Sequence, residues 1–316
     1  MTKYVVSRLL LIIPTLGLLS VGLFAIIRLL PGDVVDIMYE ENGYAATKAE
    51  MREILGLNDP IAVQYVHWIG DVATGDFGTS LLTKRTIGSE IKQRMPVTLE
   101  LGLSSFVLAM LIAFPIGVLS AIKQDSLIDY AVRSYAVGGL SIPNFWLATL
   151  IIIFGAKWFG WSPPVEFITL RDDPVGHVKQ LIVPALVLGG FGWSSVIRMT
   201  RAMMLEVLRE DYIRTARAKG LANSTVILRH ALRNAIIPVI TIIGNFLPGV
   251  LSGAVIIEVI FGLPGIGRYA VEAIRTRDYP MLQAINLFFA LQVVGMNLIV
   301  DLAYGAIDPR IRYGNA

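Results

Sequence analysis

Six charge-free apolar runs constrain this chain more than any other feature: residues 9–27, 101–122, 134–156, 181–197, 235–257 and 281–300. A helix needs roughly 20 mostly apolar residues to cross about 30 Å of hydrocarbon. The runs have about that length, the fourth being the shortest. Only 16% of the 316 residues are charged, against about a quarter in a soluble domain. A chain this poor in charge is solvated partly by lipid, and six transmembrane helices follow. The first run sits behind Lys3 and Arg8 like the core of a signal peptide. It is too long for one, however, and is followed by Pro31-Gly32-Asp33 rather than a small-residue cleavage site. It is expected to stay as the first span. Pro14, Pro115, Pro143, Pro184, Pro238 and Pro248 lie in or at the ends of the runs, where neighbouring helices can satisfy the carbonyls they free. The pairs Gly138-Gly139 and Gly189-Gly190 are expected at close helix crossings.

Six spans place both termini on one face. With that face cytoplasmic, segments 1–8, 123–133, 198–234 and 301–316 hold 14 Lys and Arg and, leaving Asp301 aside, six Asp and Glu. The opposite face holds 13 basic and 17 acidic residues. The excess of positive charge inside supports this orientation.

Two polar stretches have helical signals of their own. In the extracytoplasmic stretch 31–97, Thr47 and Glu50 fit a capping box ahead of Met51, Ile54 and Leu55. Asp59-Pro60 suits a cap and first-turn pair, with Ile61, Tyr65 and Trp68 on one apolar face. This stretch suits either a partner-binding surface or a small structural lid. The cytoplasmic stretch 198–234 carries Arg198, Arg201, Arg209, Arg214, Arg217, Lys219, Arg229 and Arg233 against Glu206, Glu210 and Asp211. Gly220 divides it into a helix ending at Ala216, Ala218 and Lys219 and a second helix over 224–234 capped by Asn223. Contact with anionic lipid accounts for the charge, but not for two helices hinged at a glycine.

Catalytic signatures are missing. No phosphate-binding loop of the form G-x-x-x-x-G-K-[ST] is present, so ATP hydrolysis is not expected of this chain. His67, His177 and His230 lack metal-ligand spacing, and cysteine is absent. Glu100, Glu258 and Asp301 sit near span ends, as interfacial or interhelix polar groups with a possible part in gating. No midplane proton relay is visible, which leaves an ion-coupled carrier without its expected parts.

Over its whole length the chain resembles the type-B permease of bacterial dipeptide, oligopeptide and nickel ATP-binding-cassette importers. The resemblance is carried by Arg8-Leu9-Leu10, Leu30-Pro31-Gly32-Asp33, Gly75-Asp76-Phe77-Gly78-Thr79-Ser80 and Pro96-Val97-Thr98-Leu99-Glu100. It continues in Arg198-Met199-Thr200-Arg201, the run from Asp211 through Arg214-Thr215-Ala216-Arg217-Ala218-Lys219-Gly220-Leu221, and His230-Ala231-Leu232-Arg233-Asn234. Pro264-Gly265-Ile266-Gly267-Arg268 and Asp308-Pro309-Arg310-Ile311-Arg312 close it. Against the importer signature E-A-A-x3-G-x9-I-x-L-P, Gly220, Ala216 and Leu232 match, while Arg214 and Arg233 replace the leading acid and the final proline.

The resemblance implies an all-α, polytopic type I importer fold with both termini cytoplasmic. It divides the chain into residues 1–93 (first span and extracytoplasmic segment), a transport core over 94–305 with coupling helices at about 202–234, and a tail at 306–316. It implies that Arg214, Thr215, Ala216, Arg217, Ala218, Lys219, Gly220, Leu221, His230 and Arg233 face an ATPase subunit. The implied partners are a homologous second permease, two ATP-binding cassette subunits carrying ATP and Mg, an extracytoplasmic solute-binding protein and the lipid bilayer; nucleic acid is not among them. Stretches 31–97, 159–180 and 261–280 are available for the binding protein. The implied substrate is a di- or oligopeptide, with nickel chelates, glutathione and oligosaccharides as alternatives. A stand-alone carrier or channel, a transport-inactive scaffold or sensor, and a membrane-bound enzyme are the rival classes.

Overall fold

The computed structural model describes residues 2–29, 35, 48–54 and 56–307. Thr47 of the proposed capping box lies outside them. Regular structure among these residues is helical, apart from a single bridge between Thr79 and Thr86. The helices are α1 (Thr2–Leu29), α2 (Lys48–Ile54), α3 (Ile61–Ala73), α4 (Ile87–Ile122), α5 (Leu127–Ser141), α6 (Asn144–Phe159), α7 (Pro174–Leu208) and α8 (Asp211–Ala218). They continue with α9 (Asn223–Thr225), a π-helical turn (Val226–Ala231), α10 (Leu232–Phe261), α11 (Ile266–Arg275) and α12 (Tyr279–Ile307).

Three described helical segments are long and apolar enough to cross a membrane, namely Arg8–Leu29, Ile87–Ile122 and Tyr279–Leu302. Three bent helix pairs could add one span each, giving up to six. Large apolar side chains such as Leu10, Ile13, Leu18 and Leu29 on α1, and Leu103 and Leu111 on α4, are exposed. Contiguous exposed apolar surface of this kind suits lipid.

The third apolar run is not one straight helix. It breaks into α5 and α6, which meet at 100°. Pro143 is the cause: it lacks an N–H and drives the residue before it out of the helical region. Ile142 is accordingly extended, at φ −95° and ψ 118°. The fourth run is longer than its charge-free part, because α7 extends it at both ends, and its halves Pro174–Gly190 and Gly192–Leu208 differ in direction by 56°. The expected start of α3 also shifts. Pro60, not Asp59, is the capping residue, and no side chain caps the helix.

The chain divides into two compact units. One comprises residues 98–263 and, among the described residues, 299–307. Its main helix pairing is α7 with α10, followed by α5 with α7. Ala109, Ala113, Ala136, Trp193, Val196 and Val239 form its centre. Small residues let backbones close in. A Cβ on Gly117 would lie 2.7 Å from Thr200 Cβ and 2.9 Å from the Ile197 carbonyl. Gly139 is similarly filled by Ser194, and Gly189 by Trp193 and Ser105, whereas Gly138 faces open space.

The other unit comprises residues 2–97 and 264–298. Phe24 of α1 meets Tyr65 and Trp68 of α3, with ring centroids 5.5 and 5.7 Å apart, and Ser20 shares a 2.8 Å hydrogen bond with the Tyr65 hydroxyl. Ile61, expected on the same face, is exposed. Its core gathers Ile87, Ile91, Ile266, Tyr269, Met281 and Ile285. Asp278 caps α12 through the Met281 N–H (3.2 Å) and clamps the 79–86 loop, accepting from the Ser80 hydroxyl (2.6 Å) and the Leu81 N–H (2.9 Å).

Candidate functional site

The bracket around Gly220 is built on one amphipathic helix of about two turns. In α8, Ile213 and Ala216 fall three residues apart and so share a face. Both are buried, in a core with Ala121, Met204, Val226, Ile227 and Ala231. The opposite face presents Arg214, Thr215, Arg217, Ala218 and Lys219, all exposed. Ala216, expected on the outer surface with Ala218, therefore anchors the helix from within. The Arg214–Asp211 contact (3.2 Å) is exposed on both sides and adds little. Thr215 donates to the Asp211 carbonyl at 3.0 Å.

Gly220 is the stop rather than a free hinge. Its φ is +76°, a left-handed conformation that costs other residues about 1–2 kcal/mol. Gly220 N–H donates to the Arg217 carbonyl (2.9 Å) and Leu221 N–H to the Ala216 carbonyl (3.4 Å). These two bonds make a Schellman closure of α8. Gly220 and Leu221 are exposed.

The second half of the bracket departs from expectation. Asn223 is the first helical residue rather than the cap; Ala222 holds the cap position and no side chain caps the helix. There is no separate helix over 224–234. The chain widens into the π-helical turn and runs on into α10. Such turns are rare and concentrate at functional sites. His230 lies within it, half-buried, its carbonyl accepting from Asn234 at 3.2 Å. Arg233 is exposed on the first turn of α10. Asn234 also donates to the Tyr212 hydroxyl at 2.8 Å, tying α8 to α10.

Below the bracket lies a contact that sequence reasoning missed. Asp129 of α5 is fully buried and accepts a fork from Arg201 of α7, Nε donating to Oδ1 and Nη2 to Oδ2, each at 2.7 Å. The Ser120 hydroxyl (2.6 Å) and Asp125 N–H (3.0 Å) complete its shell. Charge-assisted, bidentate pairs of this type fix orientation strongly. The pair joins α4, α5 and α7, with Arg201 two turns before the end of α7. The sequence showed Arg201 only as one of several basic residues following an apolar run.

The three polar span-end residues are placed differently from one another. Glu258 of α10 is fully buried and accepts from the Thr98 hydroxyl at 2.6 Å. Glu100 lies 3.4 Å from His177 Nε2, while the His177 Nδ1 side meets the Ile168 carbonyl at 2.8 Å. Asp301 is half-buried on α12.

Comparison with known proteins supplies an independent line. Residues 113–313 match the family described as binding-protein-dependent transport system inner membrane component, and residues 1–102 match its N-terminal companion family. The chain is 42% identical to the oligopeptide transport system permease protein AppB of Bacillus subtilis, covering 99% of this chain and all of that protein. It is 41% identical to the dipeptide transport system permease protein DppB of Alkalihalophilus pseudofirmus, covering 99% and 100%, and 38% identical to that of Escherichia coli, covering 99% of each. A solved amino acid ABC transporter with histidines shares the fold at a TM-score of 0.55 and 17% identity, over 69% of this chain and 94% of that one.

Proposed function

Because the chain belongs to the family of binding-protein-dependent transport system inner membrane components, we propose that it is the permease subunit of a peptide importer in the inner membrane. It forms half of the translocation pathway, with a homologous permease forming the other half. Its termini and the bracket face the cytoplasm, and the 79–86 loop with α3 and α11 faces outward. Two separate ATPase subunits bind and hydrolyse ATP with Mg, and an extracytoplasmic binding protein delivers the peptide.

The observation that carries the coupling role is the two-sided α8. Its inner face is locked by Ile213 and Ala216 into the core that also holds Met204 of α7 and the π-helical turn. Its outer face offers Arg214, Arg217 and Lys219. A short helix bound rigidly to two long ones transmits displacement, whereas a loop would absorb it. When the ATPases close, a push on α8 moves α7 and α10 together and exposes the pathway alternately to either side. Glu100, Glu258 and Asp301 are assigned to interhelix contacts that this motion works against.

The test is uptake by proteoliposomes holding this chain with its partner permease, ATPases and binding protein. Labelled dipeptide should accumulate only with internal ATP. Uptake by this chain alone and without ATP would overturn the reading in favour of a stand-alone carrier.

A further inference from the structure

A cavity of about 360 Å³ opens between the 79–86 loop, the first turns of α4 and helix α11. Tyr269 lines it and is 4% exposed, yet its hydroxyl has no hydrogen-bond partner among the described residues. A buried tyrosine hydroxyl normally finds one, so this one calls for an occupant. Arg94 lies over the Tyr269 ring, 4.5 Å from its centroid. It gives Nε and Nη2 to one oxygen of Glu90, at 3.2 and 3.1 Å. Arg85 gives Nη1 to the other Glu90 oxygen at 3.1 Å; its side chain is 71% exposed and its remaining guanidinium donors are uncommitted among the described residues. Glu90 thus holds two guanidinium groups at one wall. Glu272 lines the same cavity and forms no ion pair among the described residues. Asp278 is committed to the loop clamp and the α12 cap, as described above.

The lining therefore combines a cationic half, with a neutral donor, and an anionic half. A ligand with one charge satisfies only one half, and a zwitterion of matching length satisfies both. The volume falls within the range of small-ligand sites. We propose that this cavity is a subsite for a zwitterionic di- or tripeptide. Arg85 and the Tyr269 hydroxyl take the C-terminal carboxylate, and Glu272 takes the N-terminal ammonium. The inference rests on the peptide-importer reading, which supplies the substrate class. It adds a holding site on the permease itself, apart from the delivering protein.

The test uses the assembled permease–ATPase complex in detergent, without binding protein, and measures radiolabelled Ala-Ala by equilibrium dialysis. Saturable binding is expected. Tyr269→Phe, which removes only an oxygen atom, should weaken it about tenfold, the equivalent of one hydrogen bond. Arg85→Gln and Glu272→Gln, at exposed positions, should weaken it by at least as much. Ala-Ala amide should bind the parent complex poorly and be insensitive to Arg85→Gln. Parent-level binding of Ala-Ala by both Tyr269→Phe and Arg85→Gln in intact complexes would overturn the subsite. So would weakened docking of the binding protein with peptide binding unchanged, which would assign the cavity to that protein. Import of Ala-Ala by the complete system alongside either result would leave the importer reading standing. Failure to import Ala-Ala or tri-alanine at all would overturn that reading instead.

Discussion

Asp129 shows how much one carboxylate can organise when it is buried with all its partners. It accepts from Arg201, Ser120 and the Asp125 backbone, so its charge is shared among three helices. Removing one member of such a pair strands the other in low dielectric, at a cost of about 3–5 kcal/mol. Asp129→Ala should therefore lower the detergent melting temperature sharply. Arg201→Lys should recover little, because an ammonium cannot reproduce the fork. A melting temperature equal to that of the parent in Asp129→Ala would show that the pair is ornamental.

At the scale of elements, two glycines test packing and one tests a turn. Gly117→Ala puts a methyl group into Thr200 and the Ile197 carbonyl. Overpacking of this kind costs about 1–3 kcal/mol. Gly138→Ala meets nothing within 4 Å and should stabilise α5 by about 0.5–1 kcal/mol through helix propensity. Thermal unfolding of the two variants should thus move in opposite directions; shifts of the same sign would contradict the crossing geometry. Gly220→Val should strain the Schellman closure by about 1–2 kcal/mol and lower uptake more than it lowers yield. The hinge expected from sequence becomes a fixed stop, because the chain beyond it is continuous with α10 rather than forming a second free helix.

For the whole molecule, the prediction concerns assembly. Lys219 is exposed at the end of α8, so Lys219→Glu should leave insertion unchanged and reduce ATPase co-purification several-fold. Undiminished co-purification would make Lys219 an ordinary solvated charge and move the contact to Arg214 or Arg217. The same experiment tests the outward face of α8, since its inner face is already occupied by the protein's own core.

Hydropathy determined the apolar runs and the helical class, and ordered motifs carried the family likeness, because each is local: a run of side chains must match its solvent, and a motif must keep its order. The break at Pro143 was open to the same kind of reading, since the missing N–H and the clash with Ile142 are properties of two adjacent residues. Nothing local pairs Asp129 with Arg201, 72 positions away, or Ser80 with Asp278, 198 positions away. Nothing local turns Ala216 inward and Ala218 outward. A charge beside an apolar run looks the same in sequence whether it meets water, lipid headgroups or a buried partner. Only the tertiary structure decides which, because the energy of a charge depends on what other segments bring to it.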